Sequence, residues 1–257
     1  MRFLIWRVSF KLSGHSKWSS IKHKKSATDA KRGKVFTKIT REIIVAARIG
    51  GGDEEMNPHL RTVMTRAKAA NMPRENIERA IKKGLGNLEE SNYVELSYEA
   101  YAPGGVGLMI EVLTDNKNRT AADIRAALSK SGGQLASHGS VSYMFNRKGI
   151  ILYESANVNP NTLFEAALEA GVEDIAEEGD VIEVIANPGE FVNVLESLQS
   201  SGFKQLSAEL SLVPENTITL DNEGTVKVLR LIELLEDNDD IQLVASNLNI
   251  PDNFEMS

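Results

Sequence analysis

Apolar residues recur at helical spacing through the first third of the chain. Val35, Phe36, Ile39, Ile43 and Ala47 stand three and four apart, which predicts a helix that starts at Thr28 or Asp29 and stops at Gly50-Gly51-Gly52. Asn57-Pro58 then supplies a cap and a first-turn proline ahead of Leu60, Val63, Met64 and Ala67. A third start at Met72-Pro73 leads into Ile77 and Ile81, one turn apart, with Gly84 and Gly86 as the stop. Three short helices with short connections predict a small bundle.

After Ser91 the period changes. Residues 93–102 and 106–113 flank Pro103-Gly104-Gly105 and predict a hairpin. A helix is expected from about Thr120 to Lys130, with Thr120 and Asp123 resembling a capping box, and Gly132-Gly133 closes the unit. A similar unit follows: strands near 140–146 and 149–154 around Arg147-Lys148-Gly149, then a helix over 161–170. A strand near 181–186, a helix near 189–200 and a strand from Phe203 to about Val213 come next, then a helix near 222–236 and a short strand at 241–245. The fold class is α+β multidomain, an N-terminal three-helix domain followed by two α/β lobes. The closing β-α-β could complete the first lobe's sheet, which would make the second lobe an insertion.

Charge sharpens this division. The 257 residues carry a net charge of −7, yet residues 1–89 hold 20 Lys/Arg against 8 Asp/Glu, leaving 9 against 28 for the rest. The helical part is therefore at +12 and the remainder at −19. Zero cysteines exclude disulfides, Cys-ligated metal and a Cys nucleophile. Charges interrupt every apolar stretch, so none approaches the roughly 18 residues of a membrane span, and a cytoplasmic protein is expected. Residues 1–13 are basic and acid-free, and read as a disordered extension or an upstream start.

The densest chemical signal is cationic. Lys17, Lys22, Lys24, Lys25, Lys31, Arg32, Lys34, Lys38, Arg41 and Arg48 face only Asp29 and Glu42 between Gly14 and Arg48. Lys31, Lys34, Lys38 and Arg41 fall on one helix face beside the apolar stripe, which presents a row of cations to a polyanion. Trp18 and His23 lie among the cations, a composition suited to phosphate contacts with base or sugar stacking; alternatively Trp18 is a core anchor and the row a solvated face. Arg61, Arg66, Lys68, Arg74, Arg79, Lys82 and Lys83 extend the field over the other two helices, some of them pairing with Glu75 and Glu78. The acidic lobes would repel nucleic acid and confine contact to one end. They could also be a protein-interaction module, with the basic domain as counter-surface within an oligomer.

Catalytic and metal signals are poor. His15, His23, His59 and His138 lack the paired helical spacing of a zinc site, and Gly104-Gly105-Val106-Gly107 opens onto a strand rather than a helix. The acidic clusters at 173–180 and 236–240 read as solvated loops. No enzyme activity, cofactor or metal is expected. Asn116, Asn118 and Arg119, in the loop Thr114-Asp115-Asn116-Lys117-Asn118-Arg119-Thr120, could bind a phosphate or a partner backbone, or simply cap the helix that follows.

The ordered set Gly14-His15-Ser16-Lys17-Trp18, Ile21-Lys22-His23, Asp29-Ala30-Lys31-Arg32-Gly33-Lys34, Phe36-Thr37-Lys38, Asn57-Pro58, Asn71-Met72-Pro73, Pro103-Gly104-Gly105, Leu113-Thr114-Asp115-Asn116, Asn118-Arg119-Thr120 and Gly139-Ser140-Val141 resembles the YebC/PmpR family, from Gly14 to the C-terminus. The resemblance implies three domains: a basic helical domain over 14–88, a middle α+β domain over 89–133 plus 206–257, and an acidic domain over 134–205 inserted into it. Ala100 and Ala102 stand where the family often has glycine, so the local loop must differ if either position needs positive φ. Family members are described as DNA-binding transcriptional regulators and as translation factors acting on stalled ribosomes. The expectation is a DNA-binding regulator acting on promoters, with a ribosome-associated translation factor that binds ribosomal RNA or tRNA as the alternative.

Overall fold

The computed structural model describes residues 17–18, 29–86, 93–251 and 254. Three helices form the N-terminal domain: α1 (Asp29–Gly50), α2 (Pro58–Ala69) and α3 (Arg74–Leu85). Most of the predicted stripe is their core, with Ile39, Ile43 and also Ile44 of α1 packed on Leu60, Val63 and Ala67 of α2 and on Ile77 and Ala80 of α3, whereas Val35 at the start of the stripe is exposed. Asn57 fixes the entry to α2, accepting at Oδ1 from the Leu60 N–H at 3.0 Å while its Nδ2 donates to the Ala46 and Gly51 carbonyls, both at 2.8 Å. Helices α1 and α3 cross closely at Gly84, where a Cβ would stand 2.6 Å from the Ile44 carbonyl oxygen, so glycine there sets the spacing.

The middle domain is built on an antiparallel sheet of order β3-β1-β2-β9, comprising β1 (Val94–Tyr101), β2 (Gly107–Thr114), β3 (Gln134–Leu135) and β9 (Ile241–Ser246). Two helices, α4 (Lys117–Lys130) and α7 (Asn222–Glu236), cover one face and bury Leu108, Ile110 and Val112 of β2 against Ile124, Leu128, Val228 and Ile232. The other face packs Met109 and Ala245 against Val141, Phe145 and Leu212 of the next domain. With both faces covered, β2 is apolar at nearly every position instead of alternating.

The acidic domain holds a second antiparallel sheet of order β5-β6-β4-β7, comprising β4 (Phe145–Glu154), β5 (Asp174–Glu178), β6 (Val181–Ala186) and β7 (Ser207–Pro214). Helices α5 (Pro160–Glu169) and α6 (Phe191–Ser200) pack on it. A parallel pair, β8 (Ile218–Thr219) with β10 (Leu248–Asn249), completes the fold.

Three expectations are corrected, and one conditional point is resolved. The hairpin over 140–146 and 149–154 is a single strand: β4 runs straight through Arg147-Lys148-Gly149, pairing Gly149 with both Ala186 and Leu210. Gly149 is not a turn residue but a seat for Phe191, whose ring lies 2.5 Å from where a Cβ would project. The strand ending at Pro214 pairs with β4, so the acidic domain's sheet extends past residue 205, and β3 at 134–135 pairs with β1 and belongs to the middle sheet. The cluster at 173–180 is mostly the β5-β6 hairpin rather than a solvated loop. Finally, Ala100 lies inside β1 and Ala102 has φ −84°, so neither position needs the left-handed conformation.

Candidate nucleic-acid interface

Helix α1 presents Lys34, Lys38 and Arg41 on one face, as the spacing predicts, but that face is engaged by another part of the chain. It is covered by the end of α7 and the acidic segment after it. Lys34 Nζ donates to Asp237 Oδ1 at 2.9 Å, and Lys38 Nζ to the Glu236 carbonyl at 2.7 Å. Arg41 Nη1 donates to the Asp239 carbonyl at 2.8 Å and to Asp240 Oδ1 at 2.6 Å, and its guanidinium also lies over the Tyr93 ring, 5.6 Å from the centroid. These acceptors combine carboxylates with the free carbonyls of a helix C-terminus, where the macrodipole concentrates negative charge. The loop at 236–240, expected to be solvated, is the partner of the row.

Asp240 is the centre of that contact. It is 3% exposed, and its Oδ2 accepts from Arg119 Nη2 at 2.6 Å, Thr120 Oγ1 at 2.7 Å and Thr114 Oγ1 at 3.1 Å. Burial by itself pushes the carboxyl pKa up, but the hydrogen bonds from Arg119, Thr120, Arg41 and Thr114 outweigh it and bring the value down to about 2. Asn116 is the N-cap of α4 and accepts from the Arg119 N–H at 3.0 Å, so the helix starts three residues before the expected Thr120. Thr120 instead sits buried within the first turn. Of the loop's two readings, Asn116 and Arg119 follow the capping one, extended by a domain-joining role for Arg119; Asn118 is exposed beside them.

Trp18 is 4% exposed and belongs to the middle domain's core, with Nε1 donating to Glu236 Oε2 at 3.3 Å. The core-anchor reading of Trp18 therefore holds and the stacking reading does not, because neither ring face is open to a base. Lys17 Nζ pairs with Glu178 Oε1 of β5 at 2.8 Å. Arg61 donates to the carbonyls of Glu54 and Glu55 at 3.1 and 2.6 Å, tying down the loop before α2, and Lys68 lies 3.5 Å from Glu54 Oε2 on the exposed surface. Lys22, His23, Lys24 and Lys25 lie outside the described residues, as do the side chains of Lys31 and Arg32.

A further set of solvent-facing cations is on α3. Arg79, Lys82 and Lys83 are exposed at i, i+3 and i+4, opposite the buried Ile77, Ala80 and Gly84. Among the described residues none of the three has an ion-pair partner. Arg74, on the same helix, is paired with Glu78 at 2.8 Å in a fully exposed contact. The sequence marks Lys82 and Lys83 no more strongly than the α1 row; what separates them is tertiary packing.

Three carboxylates are buried among the described residues; apart from Glu183 of β6, two of them organise hydrogen-bond networks that spacing and motifs do not mark. One is Asp240. The other is Glu99, 4% exposed on β1, which accepts backbone N–H bonds from Gly139 at 2.7 Å, Val141 at 2.5 Å and Ser142 at 2.9 Å. Burial pushes its pKa up, and these three donors more than reverse the effect, leaving it below the usual carboxylate range. Its work is structural: it holds the loop that joins the middle and acidic domains. Among the described residues no helix is long and apolar enough to cross a membrane.

Comparison with known proteins assigns the chain to a family. The model for the TACO1/YebC N-terminal domain matches residues 16–87, and that for the TACO1/YebC second and third domain matches residues 93–248. A probable transcriptional regulatory protein of Treponema denticola is 57% identical over 95% of this chain and 99% of its own length. Another of that name, from Borrelia garinii, is 56% identical over 94% and 99%. The crystal structure of a conserved hypothetical protein from Aquifex aeolicus superposes with a TM-score of 0.83 at 46% identity, covering 91% of this chain and 97% of that one. Matches that span both the helical domain and the two sheet domains leave one conclusion: the chain belongs to the TACO1/YebC family.

Proposed function

We propose that this protein is a DNA-binding transcriptional regulator that acts in the cytoplasm without catalysis and contacts the phosphate backbone through its helical domain. The observation that carries the reading is the exposed Arg79, Lys82 and Lys83 row on α3. Unlike the row on α1, it is not occupied by any other described residue. The names of the relatives, probable transcriptional regulatory proteins, support the regulatory part. Three cations on one helix face, without an ion-pair partner or an aromatic stacking platform among the described residues, suit sequence-independent phosphate contact.

Crosslinking in cells followed by sequencing tests the choice of nucleic acid. Enrichment on promoter DNA is the expected result. Enrichment confined to ribosomal RNA would overturn transcription in favour of translation.

A further inference from the structure

We propose that Lys34, Lys38 and Arg41 form a second polyanion site, closed in this structure by the 236–240 segment, and that nucleic acid opens it by taking the segment's place. The proposal rests on the reading that the helical domain binds nucleic acid, and adds how that binding is regulated. Three cations one to two turns apart on α1 meet a series of oxygens from Glu236, Asp237, Asp239 and Asp240 that stands where phosphates would stand. The acidic segment acts as an internal substitute for a nucleic-acid backbone.

The construction of the contact favours exchange over permanent locking. Lys34 and Asp237 are 44% and 61% exposed in their side chains, so water and salt reach this pair readily. Lys38 and, in one of its two bonds, Arg41 bind main-chain carbonyls that water can satisfy once the segment moves away. Asp240 would lose Arg41 yet keep Arg119, Thr120 and Thr114, so opening leaves no buried carboxylate without donors. Trp18 stays seated in the middle domain's core and keeps the chain attached there while α1 separates. Arg119 thus serves as a holding residue: it keeps the segment folded in both states.

The test compares wild type with Asp237→Lys, which places a cation against Lys34, and with Glu196→Lys, the same charge change on the exposed face of α6. Each full-length protein is titrated with a labelled DNA duplex of about 30 base pairs across a salt series starting near 50 mM. The duplex meets the same three cations in both variants, so their log–log salt slopes should be similar, while Asp237→Lys, already relieved of the Lys34 contact that helps to close the site, should bind more tightly than Glu196→Lys. In wild type, the same duplex should speed amide hydrogen exchange over residues 236–241, a readout independent of any substitution. Equal affinities for the two variants, or unchanged exchange in the DNA-bound wild type, overturn the proposal and leave the function reading standing. A duplex bound by none of the three proteins overturns both.

Discussion

Arg41 Nη1 lies 2.6 Å from Asp240 Oδ1, and this pair joins the helical domain to the edge of the middle sheet. The side chains are 19% and 5% exposed, so the contact is largely withdrawn from water. Replacing Asp240 with Ala removes the common acceptor of Arg41, Arg119, Thr114 and Thr120. The largely buried Arg41 and the two buried threonine hydroxyls then lose a partner, while the half-exposed Arg119 keeps Asp115. We expect a loss of about 3–5 kcal/mol, the usual consequence of breaking a buried pair from one side. A lowered thermal midpoint in calorimetry checks it; a midpoint within a degree of wild type would show that Asp240 is not the joint described here.

The same carboxylate makes stability depend on acid. Its folded pKa of about 2 lies below the ordinary value near 3.8, so the unfolded chain takes up a proton first as pH falls. The stabilisation is therefore complete above about pH 4 and disappears as pH drops through about 2, amounting to roughly 2 kcal/mol. Urea midpoints measured between pH 5 and pH 2 should fall less steeply in Asp240→Asn than in wild type. Parallel curves would remove Asp240 from the acid response.

Glu99 is expected to behave differently when its charge alone is removed. Glu99→Gln keeps the shape but offers one acceptor oxygen where two oxygens now receive three N–H groups. At least one buried donor is left weakly satisfied, at a cost of about 1–3 kcal/mol. The local signature is faster hydrogen exchange at Gly139, Val141 and Ser142 with little change in α1–α3. Uniform acceleration over the whole chain would instead point to global destabilisation.

How far the sequence foretold this arrangement depended on whether a signal was local. The three helices of the first domain and the β1-β2 hairpin follow from spacing and from Pro-Gly punctuation, because the helices bury regular stripes and the hairpin is two strand-like runs around a Pro-Gly-Gly turn. Gly149 misled for a reason outside its own segment: an Arg-Lys-Gly triplet suggests a turn, and only the Phe191 ring, more than forty residues later, explains a glycine in mid-strand. The cationic row on α1 was visible as a row, but its occupant was not, since Lys34 and Asp237 are 203 residues apart. Trp18 shows the same limit. A tryptophan among lysines fits a stacking residue and a core anchor equally well, and the decision lies with Glu236 and the middle domain's core.

That distinction between occupied and open cations leads to the remaining expectation. Arg79, Lys82 and Lys83 face solvent on α3, opposite its buried side, so changing them leaves the core and the domain contacts alone. The triple change to Gln should therefore keep the thermal midpoint of wild type. If each cation neutralises one phosphate, the salt slope for duplex DNA falls by about 2.7. The affinity loss should be nearly the same for unrelated sequences, because phosphate contacts position a duplex without reading its bases. Filter binding across a salt series on two unrelated duplexes measures both effects. An unchanged slope would move the contact surface off α3, whereas a loss confined to one duplex would mean that these side chains reach base edges.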